Sequence, residues 1–358
     1  MKIFINASAL NQRGAYSLLR AFVIEMSNST SYLESEGLIL HFLVSRKELL
    51  DYQNKNVTIT FDTTSKDGFL TKWKYEKTTV PDIVNEGGYD AYLSLQNYVL
   101  KNIRTKQFSL IHQSIPFSDL RISELEFSNW LKYKLIYDRI LRDQRSIIDG
   151  VIVQTQWMKD AVINRYGYTC PVVIIRPEVE NITQNNAPLS SDMQNKLSTD
   201  YIKLFYPTSN DKYKNNKLLT EAVEQFNELN ENKVILYITV EGESTDSIKR
   251  IGKVPFESIY WFYKNMDALI FPSLTETMGF PLLEAQQCSL PIICSDLPYA
   301  REICGDNAYY FDPREERSIV EAVGSFVGDP MKKISKPPQK QESKYLDYIK
   351  FIISRVNG

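Results

Sequence analysis

Short apolar blocks alternate along this chain with stretches in which apolar residues return every third or fourth position. Lys2–Asn6, Leu38–Val44, Ala91–Leu95, Phe108–His112, Gly150–Gln154 and Val172–Ile175 read as buried strands. Ala15–Met26, with Leu18, Leu19, Phe22 and Val23 on one face, and Gln156–Tyr166 read as helices, and Phe127–Ile147 reads as one long helix. Residues 47–79 are polar with short alternating pieces such as Val57–Phe61 and are assigned no element. A polar stretch carrying Pro and Ser, Asn181–Asp192, breaks the rhythm and marks a linker, placed at 181–200. The rhythm then resumes with strands Ile202–Tyr206, Val234–Val240, Ala268–Phe271, Pro291–Cys294 and Ala308–Phe311. Helices are expected at Lys217–Leu229, Glu257–Met266 and Glu315–Phe326, then a loop at Lys332–Ser343 and a last helix at Lys344–Val356. Strand and helix in alternation predict an α/β protein with two doubly wound, Rossmann-like parallel sheets. The expected domains are 1–180 and 201–333, with 334–358 as a terminal helical segment.

Length supports that division, because 358 residues exceed one ordinary core and fit two domains of about 150 to 180 residues. A hydrophobic content of 43% with 24% charged residues describes a globular chain. The net charge of −2 lacks the basic excess of a nucleic-acid binder. No apolar run approaches the ~18 residues of a membrane span, and the opening Met-Lys-Ile-Phe-Ile-Asn lacks a leader's apolar stretch, so a cytoplasmic location is expected. The helix expected at 127–147 combines Trp130 and Leu131 with Lys132, Lys134, Arg139, Arg142 and Arg145, which suits peripheral contact with the inner face of the cell membrane. Cys170, Cys288, Cys294 and Cys304 show no paired metal-ligand spacing and read as buried thiols.

The densest candidate chemistry lies in Phe271–Cys288. A strand ends at Phe271, a polar loop carries Glu276, Thr277, Met278 and Gly279, and Phe280-Pro281 opens a helix that carries Glu284 in its first turns. A helix start offers unpaired N–H groups and a partial positive charge to a phosphate, and a glycine there lets the ligand come close. Glu284 is also simply favourable against the helix dipole. A second loop, Pro207–Asn215, follows strand Ile202–Tyr206 and carries Ser209, Lys212 and Lys214. His112 stands at the end of the strand Phe108–His112, and Gly14 in the first strand-to-helix loop, Ala7–Tyr16.

The string Glu276-Thr-Met-Gly-Phe-Pro-Leu-Leu-Glu284-Ala, with its flanks Tyr263–Ser273 and Leu290–Glu302, resembles the Glu-x7-Glu signature of glycosyltransferase family 4. That resemblance, specific over about residues 203–325, implies the GT-B architecture, two Rossmann-like domains facing across a cleft, and a terminal helix returning to the first domain. It implies a retaining transferase that moves a sugar from a nucleotide-sugar donor to a glycan or lipid-linked acceptor, as in bacterial surface polysaccharide synthesis. In this scheme Glu276, Lys214 and His112 take catalytic places. Glu284, Gly279, Phe280, Thr277, Met278, Lys212, Ser209, Gly14 and Val254 line the donor, with Gly252–Val254 near the base. An Arg usual in the family is replaced by Ser209, so a second cation would come from Lys212 or Arg13. The chain has no Asp-x-Asp triplet, so metal-free catalysis without a cofactor is expected. The alternatives are an inactive GT-B subunit or glycan-binding scaffold, and a sugar-nucleotide epimerase of the same architecture.

Overall fold

The computed structural model describes residues 1–11, 13–177, 181–184, 187, 189, 197, 199–231, 233–330 and 344–358. Seven short strands, β1 (Lys2–Asn6), β2 (Ile39–Val44), β3 (Val57–Phe61), β4 (Ala91–Ser94), β5 (Lys106–Leu110), β6 (Gly150–Val153) and β7 (Val172–Ile174), form one sheet in the order β3-β2-β1-β4-β5-β6-β7. Every neighbouring pair is parallel, and Ile3 of β1 lies opposite Leu40 on one side and Ala91 on the other. A parallel sheet needs a cover on both faces, which explains the unbroken apolar runs. The helix Arg13–Asn28 covers β1 with Leu19, Phe22, Val23 and Met26, all fully buried.

Part of the core comes from the far end of the sequence. The helix Leu346–Val356 belongs to this first unit, which comprises Met1–Phe117, Tyr133–Glu178 and Glu342–Gly358. Its Tyr348, Ile349 and Ile352 are fully buried, and Tyr345 stacks on Phe22 with ring centres 5.2 Å apart. Each such apolar side chain contributes roughly 1.5–3 kcal/mol on burial. Glu25 fixes the helix start by accepting the N–H groups of Tyr345 and Leu346 at 3.0 and 2.9 Å, which satisfies two orphan donors and sets a negative charge at the positive helix end. At Gly150 any Cβ would stand within 3.0 Å of the Phe351 and Phe108 rings, so the close seating of this helix on β6 requires glycine.

Six further strands, β8 (Ile202–Tyr206), β9 (Val234–Ile238), β10 (Ile248–Arg250), β11 (Ala268–Phe271), β12 (Ile292–Ser295) and β13 (Tyr309–Phe311), form the second sheet, ordered β10-β9-β8-β11-β12-β13 and again wholly parallel. Both sheets reverse direction beside their first strand, between β1 and β4 and between β8 and β11. Such a switch point is where ligands bind in open α/β sheets, beyond the carboxyl ends of the strands.

Several expectations are corrected. The unassigned stretch 47–79 contains the edge strand β3 and the helix Phe69–Lys77, and β10 is a three-residue strand that no apolar run announces. The single long helix at 127–147 is instead Phe127–Trp130, a π-helical segment Leu131–Tyr137, Asp138–Asp143 and a 3-10 turn Gln144–Ser146. Segment Ser118–Lys132 groups with the second unit, Val179–Gln341, although the domain division expected from sequence put it in the first. Of the expected linker 181–200, Ile182–Gln184 forms one turn with Ile182 buried and its N–H donated to Gln287. Most of the rest, and all of the expected loop Lys332–Ser343, fall outside the described residues. Gly14 lies inside the helix Arg13–Asn28, one residue from its start, and not in a loop; the side chain of Arg13 is outside the described set. Cys294 and Cys304 are buried, whereas Cys170 and Cys288 are only half-buried; all four are free thiols. Among the described residues no helix is long and apolar enough to cross a membrane.

Candidate functional site

At the switch point of the second sheet, the loop after β8 and the loop after β11 are tied together by backbone: Leu274 donates its N–H to Tyr213 at 2.8 Å. The first of these ends in a turn, Lys212–Lys214, followed by Asn215 at φ 61°, a left-handed conformation that asparagine tolerates better than most residues. Asn215 donates its side-chain amide to the Pro313 carbonyl at 2.6 Å. The buried Tyr206, last residue of β8, donates to the Lys214 carbonyl at 2.8 Å. Tyr299, equally buried, donates to the Ser273 carbonyl at 2.7 Å.

These bonds aim two side chains at each other. The Lys214 Nζ lies 2.5 Å from Glu276 Oε1, with both side chains 17% exposed. Ser273 donates its hydroxyl to the same oxygen at 2.7 Å. The ammonium also faces the rings of Tyr213 and Phe271 at 5.2 and 6.0 Å. Burial by itself would drive the Lys214 pKa down, but Glu276, Tyr206 and Asp211 outweigh it, and the pKa stands above the ordinary lysine value. Lys214 is therefore a permanent cation at neutral pH.

Gly279 follows in the left-handed region at φ 68° and caps the helix Phe280–Gln287. Its Cβ-less face lies close to Leu282, so both conformation and space favour glycine. Glu284, half-buried on that helix, accepts the Tyr263 hydroxyl at Oε2 over 2.6 Å. Tyr263 is 1% exposed, and burial together with the adjacent carboxylate pushes its pKa well above the usual phenol range. It stays a neutral donor and holds one edge of Glu284 in place.

The remaining candidates spread out. Thr277 is partly exposed and Phe280 shows a third of its surface, whereas Met278 is 1% exposed and packs in the core. Ser209 donates to Asp211 at 2.5 Å, and Lys212 pairs with Glu126 at 3.4 Å. Val254 is half-buried in the segment after β10. His112 and Gly14 belong to the first unit. There His112 Nε2 lies 3.1 Å from the Leu95 carbonyl, and its backbone N–H is accepted by Asn97, a residue held at φ 72°. Since a carbonyl only accepts, Nε2 carries the proton and Nδ1 is left as an acceptor. Burial lowers the His112 pKa to about 4, so the ring is neutral at physiological pH. Sequence reasoning did not find Ser273, Tyr206, Tyr263 or Tyr299, which hold the site together. Their one signal is position, since several of them stand at or just beyond a strand's carboxyl end.

Residues 190–342 match the family model described as glycosyl transferases group 1. The chain is 30% identical over 89 residues to O-antigen chain mannosyltransferase B of Escherichia coli, an alignment covering 25% of this chain and 23% of that protein. It is 31% identical over 86 residues to O-antigen chain mannosyltransferase RfbU of Salmonella typhimurium, covering 24% of each. The chain thus spans about a quarter of the length of these curated relatives. Across its whole length it resembles the crystal structure of Anabaena Alr3699/HepE in complex with UDP-glucose, with a TM-score of 0.66, 14% identity, and coverage of 100% of this chain and 99% of that one. At that identity the likeness shows the fold. The two parallel sheets are those of the GT-B architecture, and the segment that matches the group 1 model, residues 190–342, contains all six strands of the second sheet.

Proposed function

We propose that this chain is a retaining glycosyltransferase that moves a sugar from a nucleotide-sugar donor to a glycan or lipid-linked saccharide, in the synthesis of a bacterial surface polysaccharide. The observation that carries the reading is the meeting of Lys214 and Glu276 at the switch point of the second sheet, beside the glycine-capped helix Phe280–Gln287. Loss of a diphosphate leaving group builds negative charge, and a fixed cation with helix N–H groups stabilises that charge without reorganisation. Lys214 and the Gly279–Phe280 end of the helix take that part, Glu276 orients hydroxyls of the transferred sugar, and Glu284 takes the ribose hydroxyls. Lys214 supplies the charge that a divalent ion supplies elsewhere, so the reaction needs no metal.

Neutral His112, at the carboxyl end of β5, offers Nδ1 as an acceptor to a sugar hydroxyl and does not act as a general base. The acceptor saccharide sits on loops of the first unit. The protein works at the cytoplasmic face of the membrane, where the exposed Phe127 and Leu131, next in sequence to Lys132, support peripheral contact.

The test is incubation of the purified chain with a panel of nucleotide sugars, with and without lipid-linked saccharide, and with a chelator in one arm. Transfer or slow donor hydrolysis that disappears in Glu276→Ala and survives the chelator supports the reading. The product's anomeric configuration, read by NMR, tests retention. An isomerised nucleotide sugar would indicate an epimerase, and no turnover of any donor would indicate a scaffold.

A further inference from the structure

We propose that Glu241 reads the nucleotide base and that the donor is a guanosine-diphosphate sugar. The inference rests on the transferase reading and deepens it. The diphosphate position lies beyond the gap between β8 and β11, where Lys214 stands. In the sheet β9 and β10 are the first and second strands beyond β8, and the β9–β10 gap is two strand spacings from the β8–β11 gap, about 10 Å away. That separation suits a ribose with its base. The strand ends are tied in register: Thr208, in the loop after β8, donates its N–H to Thr239 Oγ1 at 2.7 Å and accepts that hydroxyl at 2.9 Å.

Two residues beyond Thr239 comes Glu241, and opposite it Gly252, two residues beyond β10. Gly252 adopts φ +68°, and its N–H reaches the Val240 carbonyl at 3.3 Å. The Glu241 carboxylate lies over the bare face of this glycine: Oε1 is 2.6 Å and Oε2 3.3 Å from where a Cβ would stand. Among the described residues no hydrogen bond or ion pair engages Glu241, and the residue is exposed. The structure therefore holds an exposed carboxylate with open acceptor oxygens beyond the β9–β10 strand ends, where the transferase reading puts the base of the donor.

Only one common base answers that geometry with two donors. Guanine presents its ring N1–H and exocyclic N2–H2 side by side, matching the two oxygens of one carboxylate. Uracil and thymine present a single ring N–H between two carbonyl oxygens, which the carboxylate repels. Adenine and cytosine place an acceptor next to the exocyclic amine. A carboxylate near a diphosphate raises the energy of every nucleotide complex, and guanine alone offsets it with a paired contact.

The test is calorimetric titration of the wild-type chain and Glu241→Ala with GDP, IDP, UDP, ADP and dTDP. Inosine differs from guanosine by the missing N2 amine. The expected result is that wild type prefers GDP over UDP, and over IDP by about 10-fold. Glu241→Ala should lose about 10- to 100-fold for GDP, bind GDP and IDP alike, and hold UDP unchanged or tighter. Tighter binding of UDP, ADP or dTDP by wild type overturns the guanine assignment and leaves the transferase reading intact, as does equal GDP affinity in the two proteins. Failure of every diphosphate to bind overturns both. A melting curve of Glu241→Ala that matches wild type shows that a change in affinity is not a change in folding.

Discussion

Lys214 and Glu276 come from loops after two different strands, and their charged ends meet at 2.5 Å in a place where each side chain is mostly buried. The pair is thus both a strut between the loops and the centre of the proposed site. Lys214→Ala leaves the Glu276 carboxylate with Ser273 as its hydrogen-bonding partner among the described residues, at an expected cost of about 1–3 kcal/mol. The double variant Lys214→Ala/Glu276→Ala should be less destabilised than the sum of the singles. Thermal melts of the four proteins check this; additive losses would mean that the two charges do not interact. In turnover assays Lys214→Ala should lower kcat by more than it raises KM, because charge on the leaving group is greatest in the transition state.

Tyr263→Phe keeps the ring against Phe205, 5.4 Å away between centres, and deletes the hydroxyl that holds Glu284. The expected stability loss is about 1 kcal/mol, with nucleotide affinity lower by several-fold. If stability falls while the nucleotide dissociation constant stays put, the hydroxyl serves only the core.

His112 makes stability depend on pH in a stated direction. Its folded pKa, about 4, is below the ordinary value of 6.5, so the folded state binds this proton less readily than the unfolded state. The contribution is complete above pH 6.5 and fades as pH falls toward 4, with each tenfold difference in proton affinity between the two states worth about 1.4 kcal/mol. Denaturant titrations from pH 7 to pH 4 should show a shallower decline for His112→Gln than for wild type. Parallel curves would remove His112 as the cause.

Arg314 grips Glu124 with two bonds, 2.7 and 3.1 Å, and also reaches the Asp119 carbonyl at 3.3 Å. This fork fastens segment 118–132 beside Pro313, whose carbonyl holds Asn215. Arg314→Lys cannot reproduce the fork. Limited proteolysis should cut within 118–132 several-fold faster in that variant, with a stability loss of about 1 kcal/mol. Unchanged cleavage would show that other contacts hold the segment.

The double-sheet fold was legible because buried parallel strands are nearly continuous apolar runs, as in Ala268–Phe271 and Ile202–Tyr206. Where a strand lies at a sheet edge, that signal fails. β3, Val57–Phe61, is half exposed, and β10, Ile248–Arg250, carries two charged residues in three. The π-helical turn at Leu131–Tyr137 was hidden for another reason, since its side chains keep a helix-like spacing and only the backbone register changes. In the site, the motif exposed Glu276, Gly279 and Glu284 directly. It could not expose Tyr263 or Ser273, because a hydroxyl that orients a carboxylate is recognised by where the fold puts it.

The clasp of Glu25 on the backbone of Tyr345 and Leu346 spans 320 and 321 positions of sequence. A ribosome adding 5–20 residues per second needs roughly 15 to 60 s to cross that interval. During this time the helix Arg13–Asn28 presents Phe22 and its apolar face without the tyrosines that seal it. The second sheet, whose strands all lie in between, has its full sequence before the first can close its core. The unit whose strands are made first is therefore the unit whose core is completed only by residues made after the whole of the second sheet.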